Sequence, residues 1–239
     1  MKESGILYLI PTTLGNTDPS QTISLRAQEA VRTIDLFVVE RPKSAMRFLG
    51  RMGIGDRLEG CTLVPIDQLG DGSTLAQLLE ELDSGKDVGV LSEAGCPGVA
   101  DPGAEIVRAA QARELPVVPL VGPSSILLGL MASGMNGQEF AFHGYLPIER
   151  QPRVLKLRAI EQSARMDGQT QIFIEAPHRN DHLLGDILTT CRGDTMLCVA
   201  LDLTLPAEYI RTKAISAWKR NPVTIGKRPA IFLLGRWQG

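Results

Sequence analysis

The stretch that decides the fold is DVGVLSEAGCPGVADPGAEIVRAAQA, Asp87 to Ala112. It opens on an apolar run, DVGVLS (87–92), and closes on the helix-patterned AEIVRAAQARE (104–114). Between them lies EAGCPGVADPG (93–103), in which five of eleven residues are Gly or Pro. A plain strand-to-helix turn needs far fewer. Glycine lets a backbone approach a ligand closely or take φ > 0, and proline fixes loop shape before a ligand arrives. The stretch reads as a strand, a helix and a rigid, backbone-lined loop at the strand's carboxyl end, where open α/β sheets bind ligands.

Working outward, the arrangement recurs. GILYLI (5–10) runs into PTTLGN (11–16), and PVVPLV (116–121) into GPSS (122–125). LRAQEAVRTI (25–34) has helical spacing, DLFVVE (35–40) is a strand, and SAMRFLGRMG (44–53) a short helix. STLAQLLEELDSG (73–85) is a helix with Ser73 as its expected N-cap. Near-continuous apolar strands separated by helices predict a parallel sheet covered on both faces. GPSSILLGLMASG (122–134) is a further helix, after which the texture changes. EFAFHGYL (139–146), TQIFIE (170–175), TMLCVALDL (195–203) and PAIFLLGRW (229–237) are strand-like; RVLKLRAIEQSA (153–164) and HRNDHLLGDILTTC (178–191) are helical. The predicted fold class is α/β in two domains: 1–121 with a parallel sheet, and 122–239 of mixed α/β type.

Composition fits this reading. Hydrophobic residues make up 44% of 239 and aromatics only 5%, so the core is aliphatic. No apolar run approaches the ~18–20 residues that span a bilayer, and MKESGILYLIP reads as a first strand rather than a leader. Cys61, Cys96, Cys191 and Cys198 form no C-x-x-C pair. Reduced thiols, a cytoplasmic protein and no membrane partner are expected. Through residue 120 there are 11 Lys/Arg against 17 Asp/Glu, and from 121 onward 14 against 10. Such asymmetry fits two domains with different surfaces.

Neither G-x-x-x-x-G-K-[ST] nor G-x-G-x-x-G occurs, so neither a P-loop enzyme nor a standard dinucleotide enzyme follows. His178 and His182 stand at i, i+4, but no Glu follows the first and no third ligand is apparent, so no metal is expected. What the Gly/Pro loops suit is a nucleoside or amino-acid moiety read by N–H and C=O groups.

Five motifs occur in order over nearly the whole chain: GILYLIPTTLGN, LSEAGCPGVADPG, VGPSSILLGLMASGM, FAFHGYLP and IFIEAPHR. Together they resemble the tetrapyrrole-methylase superfamily of S-adenosylmethionine-dependent methyltransferases. Within it they are most similar to the branch that 2′-O-methylates a cytidine of small-subunit ribosomal RNA. The resemblance implies two α/β domains with the cofactor in the cleft between them, and a homodimer. It implies cofactor contacts at Leu14, at Cys96, Pro97 and Val99, and at Ser124, Ser125 and Ile126. In the second domain the matching positions are Ile174, Ala200, Leu201 and Pro229.

The chain departs from that branch in three places, one of them a thinner run of basic residues after the fourth motif, IERQPRVLKLR (148–158). VVERPKSA (38–45) keeps Glu40 but replaces the usual Asp-Thr-Arg with Arg41-Pro42-Lys43. Glu93 and Cys96 stand where Asp and Thr are usual. A ribose hydroxyl acceptor needs its proton removed by a positioned base. Glu40, Glu93, Asp101, Glu175 and His178 lie at strand ends, and Glu40 and Glu93 rank first because each sits where a strand enters a loop of the cleft. A surface carboxylate or helix cap is the plainer meaning of each. RNA as a partner calls for basic surface. Lys43, Arg47 and Arg51 could line one helical face, with further clusters at Arg150, Arg153, Lys156 and Arg158 and at Arg211, Lys213, Lys219, Arg220, Lys227 and Arg228. Two alternatives stay open: methylation of a small molecule such as a tetrapyrrole, and a non-catalytic relative that binds the cofactor.

Overall fold

The computed structural model describes residues 4–237, and the chain divides between Ser124 and Ser125 into two compact units. The outer ends of the two predicted domains, 1–3 and 238–239, lie outside the described residues.

The first unit holds strands β1 (Leu7–Ile10), β2 (Leu36–Val39), β3 (Thr62–Pro65), β4 (Val88–Leu91) and β5 (Val117–Pro119). Its helices are α1 (Leu25–Ala30), α2 (Pro42–Leu49), α3 (Ser73–Asp83) and α4 (Ala104–Ala112). The sheet runs β3-β2-β4-β1-β5 and every pair is parallel, as the apolar strands predict. Alternation along each strand feeds two cores. Ile10, Phe37, Val39 and Leu91 pack with Ala27 of α1 and Phe48 and Leu49 of α2. Leu7, Val38, Val88 and Val90 pack with Leu78 and Leu82 of α3 and Ile106 of α4. Both faces are therefore covered. Gly89 is needed between them: a Cβ there would lie 2.7 Å from both Ile10 Cδ1 and Phe37 Cδ1.

Local details differ from the sequence reading. α2 starts at Pro42, whose missing N–H costs nothing in a first turn, and runs into a π turn at Gly50–Ile54. Ser73 is the first residue of α3 and not its cap; Gly72, at φ +74°, holds that position. β3 went unanticipated because CTLVPID is short and ends in proline.

The second unit holds α5 (Ser125–Ser133), β6 (Phe140–Tyr145), α6 (Arg150–Met166), β7 (Thr170–Ile174), α7 (Asn180–Thr190), β8 (Met196–Leu201), β9 (Tyr209–Ala214), α8 (Ile215–Arg220) and β10 (Ala230–Gly235). Its sheet runs β6-β7-β10-β8-β9, with β6 parallel to β7 and the other pairs antiparallel, so the mixed assignment holds. Leu157 and Ile160 of α6, Leu183 and Ile187 of α7 and Trp218 of α8 form one core with Phe173 and Phe232, whose rings stack at 5.8 Å. α5 lies on β8, β9 and β10, and Gly129 lets it sit close: a Cβ there would meet Ile231 Cγ2 at 3.0 Å.

Candidate functional site

In the first unit β1 is flanked by β4 and β5, and β4 by β2, so the loops leaving their carboxyl ends stand side by side. Three of them are tied together. Thr12 and Gly95 exchange backbone hydrogen bonds of 2.8 and 3.2 Å, joining the loop after β1 to EAGCPGVADPG. The Cys96 thiol donates to the Pro123 carbonyl at 3.5 Å, joining that stretch to the loop after β5. A Cβ on Gly122 would lie 2.3 Å from the Pro11 ring, so the first and third loops also touch. Gly95, at φ +82°, is a position where other residues strain. Leu14 closes the group, with its Cδ2 3.4 Å from where a Gly95 Cβ would sit.

Glu40 follows β2 directly and Glu93 follows Ser92 at the end of β4, so adjacent strands deliver the two ranked carboxylates. Glu93 is held: its Oε1 accepts from the Ser44 hydroxyl at 2.6 Å, and Arg41 Nη1 stands 3.9 Å from Oε2. Glu40 Oε2 is buried and, among the described residues, has no hydrogen-bond partner. Asp101 belongs with them. Burial first, then the charges of Glu40 and Glu93, push its carboxyl up to about 6. The Cys96 thiol is pushed up as well, by burial and then by Asp101.

A cavity of about 740 Å³ opens beside Glu93. Thr12 to Asn16 from the first loop, Ser92 to Ala94 from the second, and Ser44, Arg47, Phe48 and Arg51 from α2 and its π turn line it. Its size is that of a small-ligand site. Arg51 is anchored: Nη1 donates to Asn16 Oδ1 at 3.1 Å and to the Thr17 carbonyl at 2.9 Å, with its guanidinium 5.9 Å from the Phe48 ring centre. Of the cofactor positions implied by resemblance, Leu14 lines this cavity. Cys96, Pro97 and Val99 lie in the neighbouring loop, and Ser124, Ser125 and Ile126 enter α5.

The second-unit positions come together within their own sheet. Ile174 and Ala200 both pair with Ile231, Leu201 pairs with Ala230, and the Pro229 carbonyl accepts from Asp202 N at 3.0 Å. Beside them two buried acceptors lack donors among the described residues: Glu175 Oε2, next to Ile174, and Asn180 Oδ1. Asn180 Nδ2 is bonded to the carbonyl of Arg228, the neighbour of Pro229.

Other candidates find structural uses. Arg179 clamps Glu175 Oε1 at 2.5 and 2.9 Å. Arg153, only 7% exposed, pairs with Asp186 at 2.7 Å and donates to the Pro147 and Ile148 carbonyls, so it holds α6 to α7 rather than joining a basic face. Arg150 shares Asp186. Lys213 packs over Trp218, Arg211 over Tyr209, and Arg228 pairs with Asp202 at 2.5 Å. The sequence reading passed over Ser44, Thr12 and Asn16. The signal for Ser44 was its i, i+3, i+7 relation to Arg47 and Arg51.

With this geometry in view, the chain can be set beside known proteins. The model of the tetrapyrrole (corrin/porphyrin) methylases matches residues 7–217, most of its length. The chain belongs to that family. The expectation of an S-adenosylmethionine-dependent methyltransferase is thereby borne out. It is 29% identical over 238 residues to the ribosomal RNA small subunit methyltransferase I of Pseudomonas aeruginosa, covering 98% of this chain and 80% of that one. Identity to the protein of the same name from Escherichia coli O157:H7 is 32%, covering 96% and 77%. For the Micromonospora olivasterospora protein it is 36%, covering 84% of this chain and 60% of that one. Among solved structures, a diphthine synthase superposes with a TM-score of 0.66 at 15% identity, covering 98% and 90%. The uroporphyrin-III C-methyl transferase of Thermus thermophilus, complexed with S-adenyl homocysteine, gives 0.58 at 18%, covering 97% of each chain. These two likenesses carry the fold of the methylase and nothing finer.

Proposed function

We propose that this methylase transfers a methyl group from S-adenosylmethionine to a ribose 2′-hydroxyl of small-subunit ribosomal RNA, in the cytoplasm and as a homodimer. The observation that carries the reading is the cavity itself: a carboxylate, Glu93, fixed by Ser44 in a wall that also carries Arg47 and Arg51. The named function of relatives similar over nearly the whole chain supports it. The exposed apolar side of α5, with Leu127 51% and Met131 78% exposed, supports a second copy of the chain as partner. No helix among the described residues is long and apolar enough to cross a membrane.

When bound, the cofactor supplies an electrophilic methyl group on a sulfonium. Leu14, Cys96, Pro97, Val99, Ser124, Ser125 and Ile126 would hold it, with Ile174, Ala200, Leu201 and Pro229. The orphaned acceptors Glu175 Oε2 and Asn180 Oδ1 fit a ligand that, like this one, brings amino and hydroxyl donors. The protein's own work is then positioning and proton transfer. Holding a hydroxyl in line with the methyl carbon contributes about 7–11 kcal/mol. Transfer would form the new C–O bond as the methyl–sulfur bond breaks and leaves the neutral thioether, and the hydroxyl proton would go to Glu93, which lines the cavity, with Glu40 and Asp101 as its acidic neighbours.

The test is labelled methyl transfer to undermethylated small ribosomal subunits. The expected product is a dinucleotide that resists alkali, because a 2′-O-methyl group blocks strand cleavage at that site. Glu93→Gln should lower kcat about 10²–10⁴-fold while leaving calorimetric S-adenosylmethionine binding intact. No transfer, or label lost as a free nucleotide after alkali, removes the ribose reading. Full turnover in both Glu40→Gln and Glu93→Gln removes the assigned bases. Transfer to a tetrapyrrole and not to the subunits would install the small-molecule reading in its place.

A further inference from the structure

We propose that the row formed by Ser44 and Arg47 of α2 and Arg51 of the π turn that follows it seats the sugar-phosphate backbone of the acceptor, with the two arginines gripping the phosphodiester 3′ to the reacting ribose. This rests on the ribosomal RNA reading and adds to it the part of the substrate that is recognised. Residues three and four apart on a helix are surface neighbours, about 5–6 Å between Cβ atoms. Ser44, Arg47 and Arg51 therefore form one row, and all three line the cavity. The row begins at the hydroxyl that holds Glu93 and ends at an anchored guanidinium.

The covalent chemistry of RNA matches that row. In a ribonucleotide the 2′-hydroxyl and the 3′-phosphate sit on adjacent ring carbons. A base that takes the 2′-hydroxyl proton thus has an anionic phosphodiester beside it in every internal nucleotide. Left uncompensated, that charge would oppose the approach of Glu93. Here Arg47 and Arg51 line the same cavity as the carboxylate. The Arg47 side chain has neither a hydrogen-bond nor an ion-pair partner among the described residues, and lies exposed in the cavity wall. Among the described residues Arg51 commits only Nη1, to Asn16 and Thr17, so its Nε and Nη2 donors remain for a ligand. Guanidinium is suited to the fork of oxygens a phosphate presents.

A second observation points to a ligand in the same place. Thr12 is 4% exposed, lines the cavity, and its Oγ1 has no partner among the described residues. A buried hydroxyl without a partner is uncommon, and a sugar hydroxyl or ring oxygen in the cavity would complete it.

The experiment compares wild type, Arg47→Gln, Arg51→Gln and Arg47→Lys in methyl transfer to small subunits over a series of salt concentrations. S-adenosylmethionine binding is measured by calorimetry alongside. Each glutamine variant should raise KM for the subunits about tenfold, the loss of one charged hydrogen bond, and hold kcat within about twofold. The slope of log(kcat/KM) against log salt should flatten by about 0.7 for each arginine removed, and Arg47→Lys should restore it. Affinity for S-adenosylmethionine should not change. If wild type methylates subunits and the glutamine variants keep its KM and slope, the inference fails and the function stands. Weakened cofactor affinity in those variants would give the arginines to the cofactor carboxylate and also overturn it. Wild type inactive on subunits removes both.

Discussion

Asp101 is the residue whose chemistry the fold alters most visibly. Its carboxyl is pushed to about 6 from an ordinary 3.8 by burial and by the charges of Glu40 and Glu93. The folded state thus binds a proton between those values that the unfolded chain does not, so wild type loses stability as pH rises from about 4 to about 6. Asp101→Asn removes that dependence. Urea titrations at pH 4 and 7 should show a smaller fall for the variant than for wild type. Glu40→Gln should lower the Asp101 titration midpoint, followed by carboxyl NMR, without returning it to 3.8, because burial is the larger cause. An unmoved midpoint would mean the two side chains do not interact. Glu40 and Glu93 were legible as a pair because each ends an apolar strand. Asp101's place with them was not. Its loop folds back through Gly98 and Ala100, both at positive φ, and no spacing in the sequence encodes such a path.

Among the elements, the central strands β2, β4 and β1 of the first sheet were legible because they carry near-continuous apolar runs, whereas the edge strand β3 was not. β9 and α8 were not: YIRTKA on an edge strand mixes charge into the alternation, and the following helix has six residues. The basic helix α6 shows the limit of reading charge without partners. Arg153 lies in the row that suggested a nucleic-acid surface, yet its side chain is 9% exposed against Asp186 at 10%. Removing one partner of such a pair leaves the other buried and uncompensated. Asp186→Ala should therefore destabilise the protein by about 3 kcal/mol in urea unfolding. A loss under 1 kcal/mol would mean that the Pro147 and Ile148 carbonyls suffice for Arg153.

For the whole molecule, the change of texture after the third loop was the legible sign of two units with different sheets, one parallel and one mixed. Composition could not say which surfaces are used, since that depends on which side of each helix packs inward. α5 is apolar all round, but Ile126, Gly129, Leu130 and Ser133 are its buried side. Leu127 and Met131 face outward. If that side meets a second copy, sedimentation should give a dimer for wild type and a monomer for the double variant Leu127→Glu, Met131→Glu. A monomeric wild type at micromolar concentration would sink the dimer proposal.

The ties among the three loops also bear on how this protein can change over time. Connections at a surface normally drift in length between relatives, since their ends alone are fixed. Here Thr12 is bonded to Gly95, Cys96 to Pro123, and Gly122 lies against Pro11. One residue gained or lost in any loop would shift its contacts out of step with both others. Length variation is therefore expected outside these three loops and outside the turn at 50–54, which Arg51 ties to Asn16 and Thr17. In this chain it is the spacing between punctuating residues, more than their identity, that inheritance has to keep.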